Sequence, residues 1–167
     1  MKAMEAILII NTGGTFNKVY NPVTGTLEVE KEGKALESLT QIWQGNGHVV
    51  NIIGKDSLEM TNHDRLELLA TIHRAEEERI LIVHGTDTMD VTAAYLAEAE
   101  IEKKIVLTGA MVPYSIDPAE ASANFASAWT ALHFLESEGI YIAMHGHIAS
   151  YVNLKKDRDA GRFVLIS

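Results

Sequence analysis

The chain has 167 residues, of which 47% are hydrophobic and 22% charged, with a formal net charge of −9; this suits one folded domain and excludes an intrinsically disordered segment. The acidic balance excludes a surface built to grip nucleic acid or anionic lipid, because such surfaces need a cationic excess. The absence of cysteine excludes disulfides and thiolate metal sites.

Residues 1–7 lead almost at once into the first apolar run, leaving no space for a charged leader, an apolar segment and a cleavage site, so the expected compartment is the cytoplasm. No apolar run approaches the roughly 20 residues of a membrane span. Apolar runs at 7–10, 49–53, 80–83, 105–107, 140–144 and 163–166 read as strands. Between them lie helical patterns. Leu36, Leu39 and Trp43 share one face, as do Leu66, Leu69 and His73, then Val91, Ala94 and Tyr95, then Phe125, Trp129 and Leu132. Thr61 followed by Asp64 predicts a capping box for the second helix. Strands alternating with helices through short links predict right-handed crossovers and a mostly parallel sheet with helices on both faces, in one α/β domain spanning 1–167.

The unusual residues fall in the loops after successive strands. These are Thr12-Gly13-Gly14-Thr15, then Asp56-Ser57-Leu58-Glu59-Met60-Thr61, then His84-Gly85-Thr86-Asp87-Thr88-Met89-Asp90, then Thr108-Gly109-Ala110-Met111-Val112-Pro113. In a parallel sheet these loops converge above the carboxyl edge, where ligands bind. They build a cup of hydroxyls and carboxylates. Taken singly, Thr-Gly-Gly-Thr reads equally as a helix cap, and His-Gly-Thr-Asp-Thr-Met reads as a cap for the helix beginning near Thr88. A phosphate site is the poorer reading, because neither G-x-G-x-x-G nor G-x-x-x-x-G-K-[ST] occurs, which also disfavours a nucleotide-binding domain. His145-Gly146-His147 would point both rings to one side of a strand, but no third ligand is evident and no metal is expected. His73 and His133 are expected on partly buried helix faces.

Considered together, these loops resemble the L-asparaginase family of threonine amidohydrolases. Thr12-Gly13-Gly14-Thr15 is similar to its first signature and His84-Gly85-Thr86-Asp87-Thr88-Met89 to its second. Tyr20-Asn21-Pro22-Val23-Thr24-Gly25 resembles the lid that carries the family's active-site tyrosine, and Asp56 to Thr61 its substrate-carboxylate loop; Asn124 also fits. The resemblance runs from about Met4 to the chain's end. It implies a three-layer, Rossmann-like or flavodoxin-like N-terminal domain, standing alone without the smaller second domain that lends an acidic group to a neighbouring subunit's site.

The resemblance further implies hydrolysis of the side-chain amide of L-asparagine or a similar small amide, with no cofactor, in a homo-oligomer of dimers or higher. By that resemblance Thr12 is the primary nucleophile and Tyr20 takes or relays its proton. Thr86 is the second essential hydroxyl, activated by Lys156, and Asp87 holds Lys156 or the substrate ammonium. Gly13, Ser57, Leu58 and Gly85 join Thr86 and Asp87 around the substrate, with Ser57 on its α-carboxylate. Lys155 is adjacent to Lys156, and an extended backbone turns the two to opposite faces. A proton-relay role requires the lysine to be largely buried, since an exposed pair with Asp87 would be an ordinary surface contact. Leu58 departs from the family, which carries an amide or hydroxyl residue there. That loss weakens asparagine binding or marks a different amide. The rival reading is a non-catalytic or weakly catalytic amino-acid-binding domain of asparaginase descent.

Overall fold

The computed structural model describes residues 6–42 and 46–166. Strand β1 (Ile7–Gly13) leads through a short helical turn into a hairpin of β2 (Lys18–Asn21) and β3 (Thr26–Val29). Helix α1 (Lys34–Gln41), β4 (Gly47–Lys55), α2 (Asn62–Arg74), β5 (Arg79–Val83), α3 (Met89–Glu98), β6 (Lys104–Thr108), α4 (Pro118–Phe134) and β7 (Gly139–Met144) follow in alternation. The chain ends with β8 (His147–Ser150), β9 (Leu154–Asp157) and β10 (Arg162–Leu165).

The main sheet has six strands in the order β4-β1-β5-β6-β7-β8. All neighbours run parallel except β7 and β8. The crossover direction reverses at β1, which pairs with β4 on one side and β5 on the other. This is the flavodoxin-like strand order, and its ligand crevice lies between the carboxyl ends of β1 and β5.

The four apolar residues opening β1 explain why it sits centrally. Ile7 and Ile9 point into a layer with Leu36, Leu39 and Phe125, whereas Leu8 and Ile10 point into the opposite layer with Leu68, Ile72, Met89 and Leu96. Alternate side chains therefore bury on both faces, under α1 and α4 on one side and α2 and α3 on the other. All four are buried, and the three layers share one continuous sheet.

The predicted capping box is present, with Asp64 N–H donating to Thr61 Oγ1 and Thr61 N–H donating to Asp64 Oδ2. The faces of α1 and α4 are those expected, with Leu36, Leu39, Phe125 and Leu132 buried, whereas the faces of α2 and α3 are rotated. In α2 the buried side chains are Asp64, Arg65, Leu68 and Ile72, while Leu66 is exposed; in α3 they are Met89, Thr92, Ala93 and Leu96, while Val91 is exposed. A one-residue shift turns a helix by about 100°, and here inward polar contacts set the phase. Arg65 Nε donates to Thr92 Oγ1 across the two helices at 2.9 Å. His73 and His133 are exposed rather than partly buried, and His133 lies edge-on to Trp129. Trp43, expected on the face of Leu36 and Leu39, lies outside the described residues.

The run at 163–166 does not join the main sheet. As β10 it pairs antiparallel with β9, placing Phe163 opposite Lys156. The sixth place in the sheet goes to β8, reached through a two-residue turn in which His145 and Gly146 have φ of 53° and 81°. Positive φ at both central residues gives the tight hairpin geometry that matches strand twist. His145 and His147 are consequently not side by side on one strand. Among the described residues, no group of three or more metal-ligating side chains gathers, and no helix is long and apolar enough to cross a membrane.

Candidate active site

The Thr-Gly-Gly-Thr and His-Gly-Thr-Asp loops meet backbone to backbone at the β1–β5 crevice. A methyl group on Gly14 would stand 2.5 Å from Gly85 Cα, and one on Gly85 would stand 2.6 Å from Ser57 Cβ. Gly14 also adopts φ of 77°, where any side chain is strained. The glycines thus allow three loops to stack without intervening side chains. The capping readings are corrected: Gly14 and Thr88 occupy the N-cap positions of their helices, and neither supplies a side-chain cap. Close loop packing has taken over those residues.

Thr12 is fully buried at the end of β1, and its hydroxyl donates to the Val83 carbonyl at 2.7 Å. That bond ties the carboxyl ends of the two strands at the crevice. The neighbouring Gly13 donates its N–H to Asn11 Oδ1 and accepts from Asn17 Nδ2, so both its backbone groups are engaged within the loop. Ser57 is buried and accepts the Thr88 N–H on Oγ at 3.2 Å, while Thr88 Oγ1 donates to the Ser57 carbonyl at 2.9 Å. Leu58 beside it is 72% exposed. Tyr20, on the outer hairpin opposite Leu27, is 62% exposed, and no hydrogen bond joins it to Thr12 among the described residues.

Thr86, Asp87 and Lys156 come together. Lys156 Nζ donates to Thr86 Oγ1 at 2.8 Å and to Asp87 Oδ1 at 2.7 Å. Its side chain is 14% exposed, so the contact is largely sealed from water. Register separates the two lysines. Lys156 faces the crevice while Lys155 turns away, its ammonium lying 6.0 Å from the centroid of the Tyr151 ring. Leu154 and Phe163 anchor the β9–β10 ribbon in the core and so hold Lys156 in place. A hollow of about 160 Å³ opens here, lined by Thr86, Asp87, Asp90, Lys156, Arg158 and Phe163.

Asp87 has a second cation that the sequence reading did not single out. Arg158 Nη1 donates to Asp87 Oδ1 at 2.6 Å and Nη2 to the Asp87 carbonyl at 2.9 Å. The hydrogen bond from Lys156, with that from Arg158 and the charge of both, holds the Asp87 carboxyl below its ordinary range despite partial burial. Arg158 lies in the turn that follows β9, where no strand period marks it, and it meets Asp87 only through the tertiary fold.

Beneath the loops lies a polar chain that the sequence reading also did not single out. Arg65 Nε donates to Thr92 Oγ1, whose hydroxyl is 2.7 Å from His84 Nε2, and His84 Nδ1 lies 2.7 Å from the Gly85 carbonyl. A carbonyl only accepts, so Nδ1 carries the hydrogen and Nε2 accepts from Thr92. Complete burial pushes the His84 pKa down to about 4, with the Arg65 charge adding to the effect and the Gly85 bond opposing it. The ring is therefore a neutral strut under Gly85. On the other flank, Glu120 accepts the Met111 and Val112 N–H groups and pairs with His145 at 2.6 Å, while Asn124 donates to the Gly109 carbonyl. A larger cleft of about 640 Å³ adjoins them, lined by Met111, Glu120, His145, Arg162 and Phe163.

The structure overlays on the thermostable L-asparaginase of Thermococcus kodakarensis with a TM-score of 0.83 at 25% identity, covering 96% of this chain and 51% of that one. By sequence the chain is 27% identical to L-asparaginase 2 of Bacillus subtilis, over 89% of this chain and 43% of the relative. It is 30% identical to a component of the glutamyl-tRNA(Gln) amidotransferase of Methanococcus vannielii, over 87% of this chain and 35% of the relative. The chain therefore spans less than half the length of these two relatives. The family model described as "Asparaginase, N-terminal" matches residues 6–162, and the chain accordingly belongs to the asparaginase family.

Proposed function

We propose that the chain hydrolyses a small carboxamide to the acid and ammonia, using a threonine hydroxyl at the β1–β5 crevice. The observation that carries this reading is the Lys156 side chain, 14% exposed, with its ammonium 2.8 Å from Thr86 Oγ1 and held by Asp87. A hydroxyl oxygen attacks the amide carbon, its proton passes to the leaving nitrogen, and the C–N bond breaks to release ammonia and leave an ester. Water then attacks that ester, freeing the acid and restoring the hydroxyl. A largely buried lysine in contact with both a hydroxyl and a carboxylate is placed to pass the proton in both halves.

Two threonines compete for the attacking role. Resemblance to the family supports Thr12, with Tyr20 relaying its proton, and this needs the Thr12 hydroxyl to leave the Val83 carbonyl and the hairpin to bring Tyr20 inward. Geometry supports Thr86 as the hydroxyl already in contact with Lys156. Ser57, with Gly13 and Gly85 in the adjoining loops, is proposed to shape the carboxylate end of the site. Relatives named for L-asparaginase and for an amidotransferase support amide chemistry in general rather than one substrate. A cytoplasmic homo-oligomer completes the proposal. The apolar side chains exposed on the hairpin and the ribbon, Val19, Leu27, Leu165 and Ile166, support self-association.

A specific observation favours the rival reading of a binding domain. Thr12 is sealed and Tyr20 points outward, so the pair is not assembled for attack. Ammonia release from asparagine, glutamine and the monoamide of succinic acid, at millimolar concentration, separates the readings. Turnover of any of them that disappears in Thr86→Ala supports hydrolysis; no turnover together with saturable binding of the corresponding acids supports the binding domain.

A further inference from the structure

Resting on the amide-hydrolysis reading of the same site, we infer that its substrate is a monoamide of a dicarboxylic acid lacking an α-ammonium group, and that Arg158 sets this preference. The charge around Asp87 carries the argument. An α-amino acid amide brings an ammonium that needs a carboxylate to receive it, and Asp87 is the candidate. Its Oδ1 already accepts from both Lys156 and Arg158, at 2.7 and 2.6 Å, and the second guanidinium nitrogen grips the Asp87 carbonyl at 2.9 Å. Lys156 and Arg158 both stand on Asp87, while Lys155 lines the edge of the hollow with its ammonium turned towards Tyr151, so no carboxylate is in excess there even with Asp87 and Asp90 both ionised. Asp90 is turned back towards its own helix, where Oδ1 accepts the Val91 N–H at 2.9 Å.

An ammonium entering this hollow therefore meets two cations on the carboxylate it requires. A second carboxylate meets the reverse. Only two of the five guanidinium N–H groups of Arg158 are used on Asp87, and its side chain is 61% exposed, so donors remain for an incoming anion. Swinging Arg158 outward would free Asp87 but would not carry the positive charge far from the site. Leu58, which the family resemblance places beside the substrate, fits the same substrate class. Beside Ser57 it presents an exposed apolar side chain, which offers no acceptor to an ammonium.

The test compares two substrates and two product acids on the wild-type chain and on Arg158→Ser. Ammonia release should show kcat/KM at least tenfold higher for succinic acid monoamide than for L-asparagine, and Arg158→Ser should narrow that ratio at least tenfold. Calorimetry should show succinate binding at least tenfold more tightly than L-aspartate, with the same narrowing in Arg158→Ser, and Leu58→Gln should help aspartate alone. If no amide turns over but succinate is still preferred through Arg158, hydrolysis is refuted and the anion preference stands. Equal or tighter binding of aspartate by the wild type, an unchanged ratio in Arg158→Ser, or no binding of either acid at millimolar concentration overturns the inference whether or not ammonia is released.

Discussion

Acidification should weaken the fold through His84 before most carboxylates titrate. The ring is fully buried and neutral, with a pKa of about 4 against 6.5 for an unperturbed histidine. A folded value below the unfolded one means that the unfolded chain binds the proton first, so the stabilising contribution is complete above pH 6.5 and is lost as pH falls from 6.5 through about 4. A difference of about 2.5 pKa units at about 1.4 kcal/mol each corresponds to about 3 kcal/mol. Against a typical total of about 5 to 15 kcal/mol this is a large fraction. Urea denaturation at half-unit steps between pH 7 and 4 should show that loss. In His84→Gln, which keeps a donor and an acceptor but cannot charge, the same interval should be much flatter, although the variant starts less stable. Equal slopes in the two proteins would refute the argument, since another group would then be taking up the proton. Asp87 contributes in a separate window: its lowered pKa adds stability above the unfolded value of 3.8 that is lost as pH falls through its folded value below that.

The two threonines should separate stability from activity. Thr12→Val removes a buried hydroxyl bound to the Val83 carbonyl and should lower stability by about 1 to 3 kcal/mol in denaturant titration, whereas Thr86→Val should cost under about 1 kcal/mol while abolishing any amide turnover. Equal stability losses would place Thr86 in the structural framework rather than the chemistry. Gly14→Ala, facing Gly85 at 2.5 Å with φ of 77°, should cost about 2 to 4 kcal/mol by the same titration and reduce any turnover with it. A variant as stable as the wild type would mean that the two loops do not pack as described.

The parts of the fold legible in the sequence are those where one physical effect dominates. Ile7 to Ile10 read as a doubly covered strand because nothing competes with burial there, and Thr61 with Asp64 read as a helix start because the capping pattern is local. The phase of α2 and α3 was not legible. Arg65 and Thr92 point inward because each satisfies the other, and hydrophobic periodicity treats both as solvent-facing. β8 and β9 are short and mix polar with apolar residues, so they lack a strong period, and their placement comes from the His145-Gly146 turn and from the anchoring of Leu154 and Phe163. Within the site, Thr86 and Asp87 follow from loops converging at the carboxyl edge, whereas Lys156, on β9, is reached only through the family resemblance. The sealing of Thr12 and the second cation on Asp87 depend on tertiary contacts between positions about 70 residues apart, which no local spacing records.

The central claim is that Lys156 and Thr86 form a working pair rather than a structural one. Single-turnover ammonia release from succinic acid monoamide and from L-asparagine, measured on the wild type and on Lys156→Met, tests it most directly. The account predicts measurable turnover of at least one amide by the wild type and a fall of about 10² to 10⁴ in Lys156→Met, the range expected when a positioned proton carrier is lost. Full activity in a folded Lys156→Met variant, or no turnover of any amide by the wild type, would contradict it.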